Sequence, residues 1–440
     1  QTLDEMILDH FSDTWNTHCH ARGILTRNQA HGSPGNILDL YAKSDIPETE
    51  IIWDGTNPLV QKFASSAGHV AGKPLISAES FTWLSNHWRS DLAKIKRYTD
   101  YLFLCGINHI VCHGNAYSPA DAEWPGWLFY AATQLNSRNP IWRDWPALSS
   151  YITRCQSFLQ AGKPDERVLL YWPLPDLSMN PEGRLPHYGI HSDFWGYGEP
   201  LRATAQTLWD DGVPFDYVSD RQLQRGEFAP SYRAVVLPPL HYLPLETAQA
   251  LDRLASSGLR IISSSAPTTW DVPGLDSLAQ RRRQLHRITK SLSSRKLFLH
   301  TGDVVAALAA DPFGTERFQE NTELRCIRRL LDNGNTLYFI VNRGDHAFRN
   351  WIKPTASGTH AILRDAWTGE VGTARLTSRG LKLQLQPHQS VFVEISPTEP
   401  TGPHWSGVTL SQGNLEPLTK PWTVSFIAGG PSLPKPLVRK

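Results

Sequence analysis

Three short segments in the first 130 residues gather side chains able to move protons and hold hydroxyl groups. From Arg27 to Glu50, RNQAHGSPGNILDLYAKSDIPETE packs Arg27, Asn28, Gln29, His31, Glu48 and Glu50 beside the turn-forming Gly32, Pro34 and Gly35. The second, SAESFTWLSNHW, places Glu79 among Phe81, Trp83 and Trp88. A carboxylate beside flat rings at a strand end suits glycoside chemistry, because rings stack on sugar faces and partial desolvation tunes the acid. The third, HIVCHGNAYSPADAEWPGW, offers His113, Asn115 and Tyr117 as hydroxyl ligands and Trp124 and Trp127 as platforms. Simpler roles stand beside these. Glu79 suits a helix cap or ion-pair partner equally well, and Glu48 or Glu50 suits the positive end of the next helix.

Elements must carry these residues to one edge. Gly23–Thr26 (GILT) and Pro74–Ala78 (PLISA) read as strands, Pro58–Ala71 as a helix stopped by Gly72, and Phe103–Gly114 as a stretch holding a buried strand. Ser85 is the expected cap of a helix running to about Tyr101. Strands alternating with helices predict a parallel sheet, whose chemistry sits at the C-terminal strand ends. Residues 151–310 repeat that rhythm. Arg167–Trp172, Pro214–Ser219, Tyr232–Leu237 and Gly258–Ser263 are the expected strands of a small three-layer, flavodoxin-like α/β domain. Residues 320–397 break into short strands with Gly, Asp or Pro turns and predict a β-sandwich. Residues 398–440 read as a linker with one strand-like piece, Trp422–Ile427.

Composition narrows the classes. The 440 residues carry 43 Lys+Arg against 42 Asp+Glu, a balance that argues against a nucleic-acid binder. The five cysteines are sparse and odd in number, so no disulfide framework is expected, and Cys105 and Cys112 read as buried small hydrophobes. No signal peptide and no membrane-spanning apolar run is legible. Nucleotide-binding glycine loops, HExxH and GxSxG are absent from the sequence.

The segments named above, with KFASSAGHVAGKPLISAESFTWL, FLCGINHIVCHGNAYSP and WPGWLFYA, resemble the catalytic region of glycoside hydrolase family 106, the α-L-rhamnosidases. The likeness runs from about Asp9 to Tyr130 and continues more loosely through the later units. It implies a large, multidomain, secreted or periplasmic parent, with residues 1–150 as the C-terminal part of a (β/α)8 barrel. It implies inverting cleavage of terminal rhamnose in plant or microbial polysaccharides or glycosides. Glu79 aligns with the catalytic base, and Glu48, in preference to Glu50, with a carboxylate orienting water or sugar. Asn28, Gln29, His31, Glu50, Trp83, His113, Asn115 and Tyr117 are the expected substrate ligands. Calcium is the implied cofactor, with no ligands assigned. The family's general acid lies in a segment expected upstream of Gln1, and PWTVSFIAGGPSLPKP resembles the opening of a jelly-roll carbohydrate-binding domain. The expectation is therefore part of a longer polypeptide. Two alternatives remain open: a sugar-binding remnant without its acid, and a retaining glycosidase that pairs Glu48 with Glu79.

Overall fold

A computed structural model describes residues 5–51, 57–84, 88–179, 199–309, 314–320, 322–406, 419–427 and 432–439. The first unit is a parallel sheet of four short strands in sequential order: β1 (Arg27–Asn28), β2 (Ile46–Glu50), β3 (Ser77–Ser80) and β4 (His109–Cys112). Sequential parallel order is the arrangement that a (β/α)8 barrel repeats. The helix Pro58–Val70 joins β2 to β3. Asn57 caps it by accepting from the Leu59 N–H, Pro58 opens it, and Gly72 at φ +69° follows its end. Leu59 through Val70 are all buried, because this helix lies between the first and second sheets. Its small side chains make that possible. A Cβ on Gly68 would sit 2.9 Å from Ile76.

Several local expectations are corrected. The GILT strand does not form: Ile24 gives its N–H to the Cys19 carbonyl at the end of the preceding helix, Ile24 and Leu25 stay exposed, and pairing starts at Arg27. IPETE is a strand, so Glu48 and Glu50 lie within β2 and cap no helix. Glu79 lies inside β3 near its C-terminal end, since the strand begins at Ser77. Ser85 is outside the described residues, and Asp91 caps the Leu92–Leu104 helix by accepting from the Lys94 N–H. Cys105 is buried, whereas Cys112 is only half-buried.

A two-residue strand, β5 (Lys163–Pro164), leads into the second sheet of β6 (Val168–Tyr171), β7 (Phe215–Val218), β8 (Ala234–Leu237), β9 (Arg260–Ser263) and β10 (Phe298–His300). These five are parallel, in the order β10-β9-β8-β6-β7. Counted from its own first strand this is 2-1-3-4-5, the flavodoxin-like order. β10 escaped the sequence reading because it is a three-residue edge strand with two exposed positions.

The third unit is antiparallel: β11 (Leu324–Leu330), β12 (Thr336–Asn342), β13 (Phe348–Ile352), β14 (His360–Arg364), β15 (Val371–Arg375), β16 (Leu381–Leu385) and β17 (Ser390–Ser396). The six-stranded sheet β15-β14-β17-β12-β11-β5 buries Tyr338, Ile340 and Val393 against Ile352, Leu381 and Leu383 of the β13–β16 pair. The chain is therefore parallel α/β followed by antiparallel β. The expected division at 150/151 falls inside the helix Trp145–Leu159, and β5 belongs to the antiparallel sheet. Residues 403–405 run along β15, and β18 (Trp422–Val424) pairs with β19 (Leu437–Arg439).

The seam between the first two units holds two half-buried acids. Asp39 accepts a hydrogen bond from Ser219 Oγ at 2.5 Å, and Asp220 accepts from Tyr171 and Thr247 hydroxyls. Burial outweighs these bonds and pushes each carboxyl up to about 6. The folded state therefore holds protons that the unfolded chain releases above its ordinary carboxyl range. The stability this confers is complete below about pH 4 and is lost as pH rises through 6. Asp220→Asn keeps an acceptor for both hydroxyls and removes the charge. It is expected to be more stable than the parent at pH 8, by on the order of 2 kcal/mol, with the gain vanishing near pH 4. Urea unfolding at the two pH values measures this; an equal effect at both would contradict it.

Candidate active site

β2 and β3 set the site. Their parallel register places Glu48 beside Ser77 and Glu50 beside Glu79, so three carboxylates arise from two neighbouring strands. Like charges side by side need donors. Glu48 receives Ser77 Oγ at 2.7 Å, Arg27 Nε at 3.1 Å and Gln29 Nε2 at 3.2 Å. Glu50 meets His31 Nε2 at 3.2 Å. Glu79 receives Gln29 Nε2 on Oε2 at 2.6 Å and Thr82 Oγ1 on Oε1 at 3.0 Å, and His113 Nε2 stands 3.9 Å from Oε1. The single amide of Gln29 therefore bridges Glu48 and Glu79 and holds their nearest oxygens no more than about 6 Å apart.

Exposure separates the carboxylates. The Glu79 side chain is 25% exposed, Glu48 only 8%. Glu48 is enclosed by donors. Glu79 is held through both oxygens, Oε2 by Gln29 and Oε1 by Thr82, yet part of its side chain stays open to solvent, which is the access a base needs to meet an external water. His113 donates Nδ1–H to the Ala131 carbonyl at 2.9 Å, which turns Nε2 toward Glu79. Phe129 packs edge-on to His113 at 5.3 Å and touches Tyr130, and both rings are exposed.

The structure thus brings Gln29, Glu48, Glu79 and His113 together and sets His31 and Glu50 beside them. Asn28 is half-buried in β1 opposite Pro47. Asn115 donates its amide to the Leu135 carbonyl and so ties down its own loop. Tyr117 is 85% exposed, with no recorded contact to the carboxylates. Trp83 is corrected from sugar platform to core residue. It is 2% exposed, packed against Phe81 and Tyr98, with the Lys94 ammonium over its ring. Trp88 instead stacks on Trp124 at 5.8 Å. Sequence reading passed over Ser77, Thr82 and Phe129. The first two were legible as hydroxyls flanking Glu79 in SAESFT, at two and three residues' distance.

Calcium takes six to eight oxygens in an open cage. The described residues of this site do not fit that need, because donors already fill Glu48 and the Arg27 guanidinium lies against it. Among the described residues, the one set of three possible metal ligands within 4.8 Å of one another is His69, Glu166 and Asp216. That cluster is buried, and Asp216 there meets His69, the Tyr232 hydroxyl and, at 3.9 Å, the Lys62 ammonium. No step is routed through calcium.

Residues 1–187 match the family model Glyco_hydro_106, described as alpha-L-rhamnosidase. A protein of Formosa agariphila named "Putative beta-glucuronidase" is 24% identical over 417 residues, covering 89% of this chain and 33% of its own. The structure of a rhamnosidase from Novosphingobium sp. PP1Y is similar over 100% of this chain and 43% of its own, at TM-score 0.76 and 20% identity. A β-galactosidase from Bacillus circulans sp. alkalophilus is similar over 89% of this chain and 67% of its own, at TM-score 0.54 and 9% identity. This chain therefore spans about a third of the curated relative and under half of the rhamnosidase. Through residues 1–187 the chain is related to glycoside hydrolase family 106, and along its whole length it shares the fold of a rhamnosidase.

Proposed function

We propose that this chain is part of a glycoside hydrolase that releases terminal α-L-rhamnose with inversion. The observation that carries the reading is the position of Glu79. It is the most exposed carboxylate of the strand-end group, fixed through Oε2 by Gln29 and through Oε1 by Thr82, with His113 3.9 Å from Oε1. In this role Glu79 takes a proton from a water as that water attacks the anomeric carbon. Gln29 and His113 orient water and hydroxyls, and Phe129 and Tyr130 supply stacking faces. Glu48 is ill suited to be its acid partner, since Arg27, Ser77 and Gln29 all donate to its oxygens, whereas a general acid must itself donate a proton. The general acid then comes from polypeptide outside these 440 residues, which also completes the four-stranded sheet into a (β/α)8 barrel.

The spacing of Glu48 and Glu79 also suits a retaining pair, at roughly 5–5.5 Å. Against that role, a nucleophilic Glu48 would first have to shed Arg27, Ser77 and Gln29. Proton NMR of the first-formed sugar, released from an aryl α-L-rhamnoside by the full-length polypeptide, decides between them. β-Rhamnose is the expected first product; α-rhamnose would replace the inverting reading with the retaining pair. Calorimetric binding of rhamnose without turnover would favour the sugar-binding alternative.

A further inference from the structure

One cavity shares no residue with the strand-end carboxylates. It holds about 510 Å³ between the Leu92–Leu104 helix and two loops of the antiparallel unit. That volume lies within the roughly 300–1,000 Å³ of small-molecule sites. Its walls are tied together. Asn342 donates its side-chain amide to the His346 and Gln386 carbonyls, which joins the β12–β13 loop to the β16–β17 loop. Lys96 reaches across from the helix to the His388 carbonyl at 2.6 Å and to Asp100.

The charge balance of the lining is positive. Asp100 is already spent on Lys96 and the Tyr151 hydroxyl. Arg97 and Arg343 both line the cavity, and among the described residues neither meets a carboxylate. The Arg343 guanidinium lies over the Tyr101 ring at 4.8 Å, which fixes its plane and leaves its N–H edge free. His388 is held at φ +57°, with Nε2 3.1 Å from Asp345. A preset guanidinium beside a second one is suited to an oxyanion, because charge-assisted, paired N–H donors match carboxylate and sulfate geometry. Tyr98 adds an aromatic wall.

We infer that this cavity is a second carbohydrate site, which binds an acidic sugar unit through Arg97 and Arg343 while the strand-end site acts on a neutral one. The acidic group is a carboxylate or a sulfate ester. The sugar identity rests on the glycosidase reading; the anion site rests on the cavity alone.

Calorimetry of the 440-residue chain with glucuronate, a monosaccharide sulfate, rhamnose and inorganic sulfate tests the inference. Wild type is expected to bind glucuronate or the sugar sulfate, more weakly as salt rises. Arg97→Gln and Arg343→Gln are each expected to weaken that binding about tenfold or more. Neither should change rhamnose binding, and Glu79→Gln should leave acidic-sugar binding intact. Loss of rhamnose hydrolysis by the full-length polypeptide would sink the glycosidase reading and leave this result standing. Undiminished acidic-sugar binding in both arginine variants would overturn the site. Inorganic sulfate binding as tightly as either acidic sugar would overturn its assignment to a saccharide.

Discussion

Glu79→Gln in the full-length polypeptide is expected to lower kcat on an aryl α-L-rhamnoside by about 10²–10⁴-fold, the contribution typical of a positioned general base. KM and thermal stability should change little. Glu79 stands a quarter exposed, and a glutamine keeps an oxygen for the Gln29 amide, while the Thr82 hydroxyl can reverse its role. Glu48→Gln makes the contrast. It removes the charge opposite Arg27 at a side chain only 8% exposed, so it should disturb KM and stability as well as kcat. Steady-state kinetics with melting curves for both variants separates the roles. Near-parental turnover in Glu79→Gln would remove Glu79 from the base role, however Glu48→Gln behaves.

The largest stability effect is expected at Arg328. This guanidinium ties the second and third units together from a nearly sealed position. It donates to Glu316 Oε1 at 3.0 Å, to Thr355 Oγ1 at 2.9 Å and to the Gly314 and Asp165 carbonyls, and it lies 3.3 Å from the Asp165 carboxylate. Burial works against its charge, but Asp165 and Glu316 outweigh burial and hold it protonated. Arg328→Met keeps the length of the side chain and leaves two buried carboxylates short of a cation, Asp165 keeping only Arg167 and Glu316 keeping none among the described residues. Breaking one side of such a group costs about 3–5 kcal/mol. The measurement is denaturant unfolding followed by Trp fluorescence, with the midpoint read separately for each transition, since several units need not unfold as one. A midpoint unchanged from the parent would show that Arg328 is dispensable. Adding Glu316→Gln is expected to recover part of the loss, because it removes one of the stranded charges.

Much of the architecture was legible because it is written in local pattern. The strands of the second sheet are continuous apolar runs, as a strand buried on both faces requires, and RVLLYW, YRAVVL and GLRIIS stand within a few residues of β6, β8 and β9. The Pro58 helix carries its start and stop in its own residues, with Asn57 before it and Gly72 after it. IPETE carries no such signal. A pattern reading rejects a five-residue segment with Pro47 and two glutamates as a buried strand. It becomes one because Arg27, Gln29, His31, Gln61 and Ser77, brought in from other elements, satisfy its polar side chains.

By itself, the sequence singled out the polar residues that the fold gathers at one strand edge: Glu79 in SAES, and Gln29, His31 and Glu48 in the preceding run. It also determined that these belong to a parallel α/β unit, since residue type and apolar periodicity are properties of the chain alone. Tertiary structure decided how they are used. Gln29 meets Glu79 across 50 residues of chain, so their contact follows from sheet register and from no local spacing. Trp83 looks like a sugar platform in sequence, but the backbone after β3 turns at Phe81, φ +71°, and the ring packs inward on Tyr98. An indole reads the same in a list of residues whether it faces solvent or core, and only the packing around it fixes which.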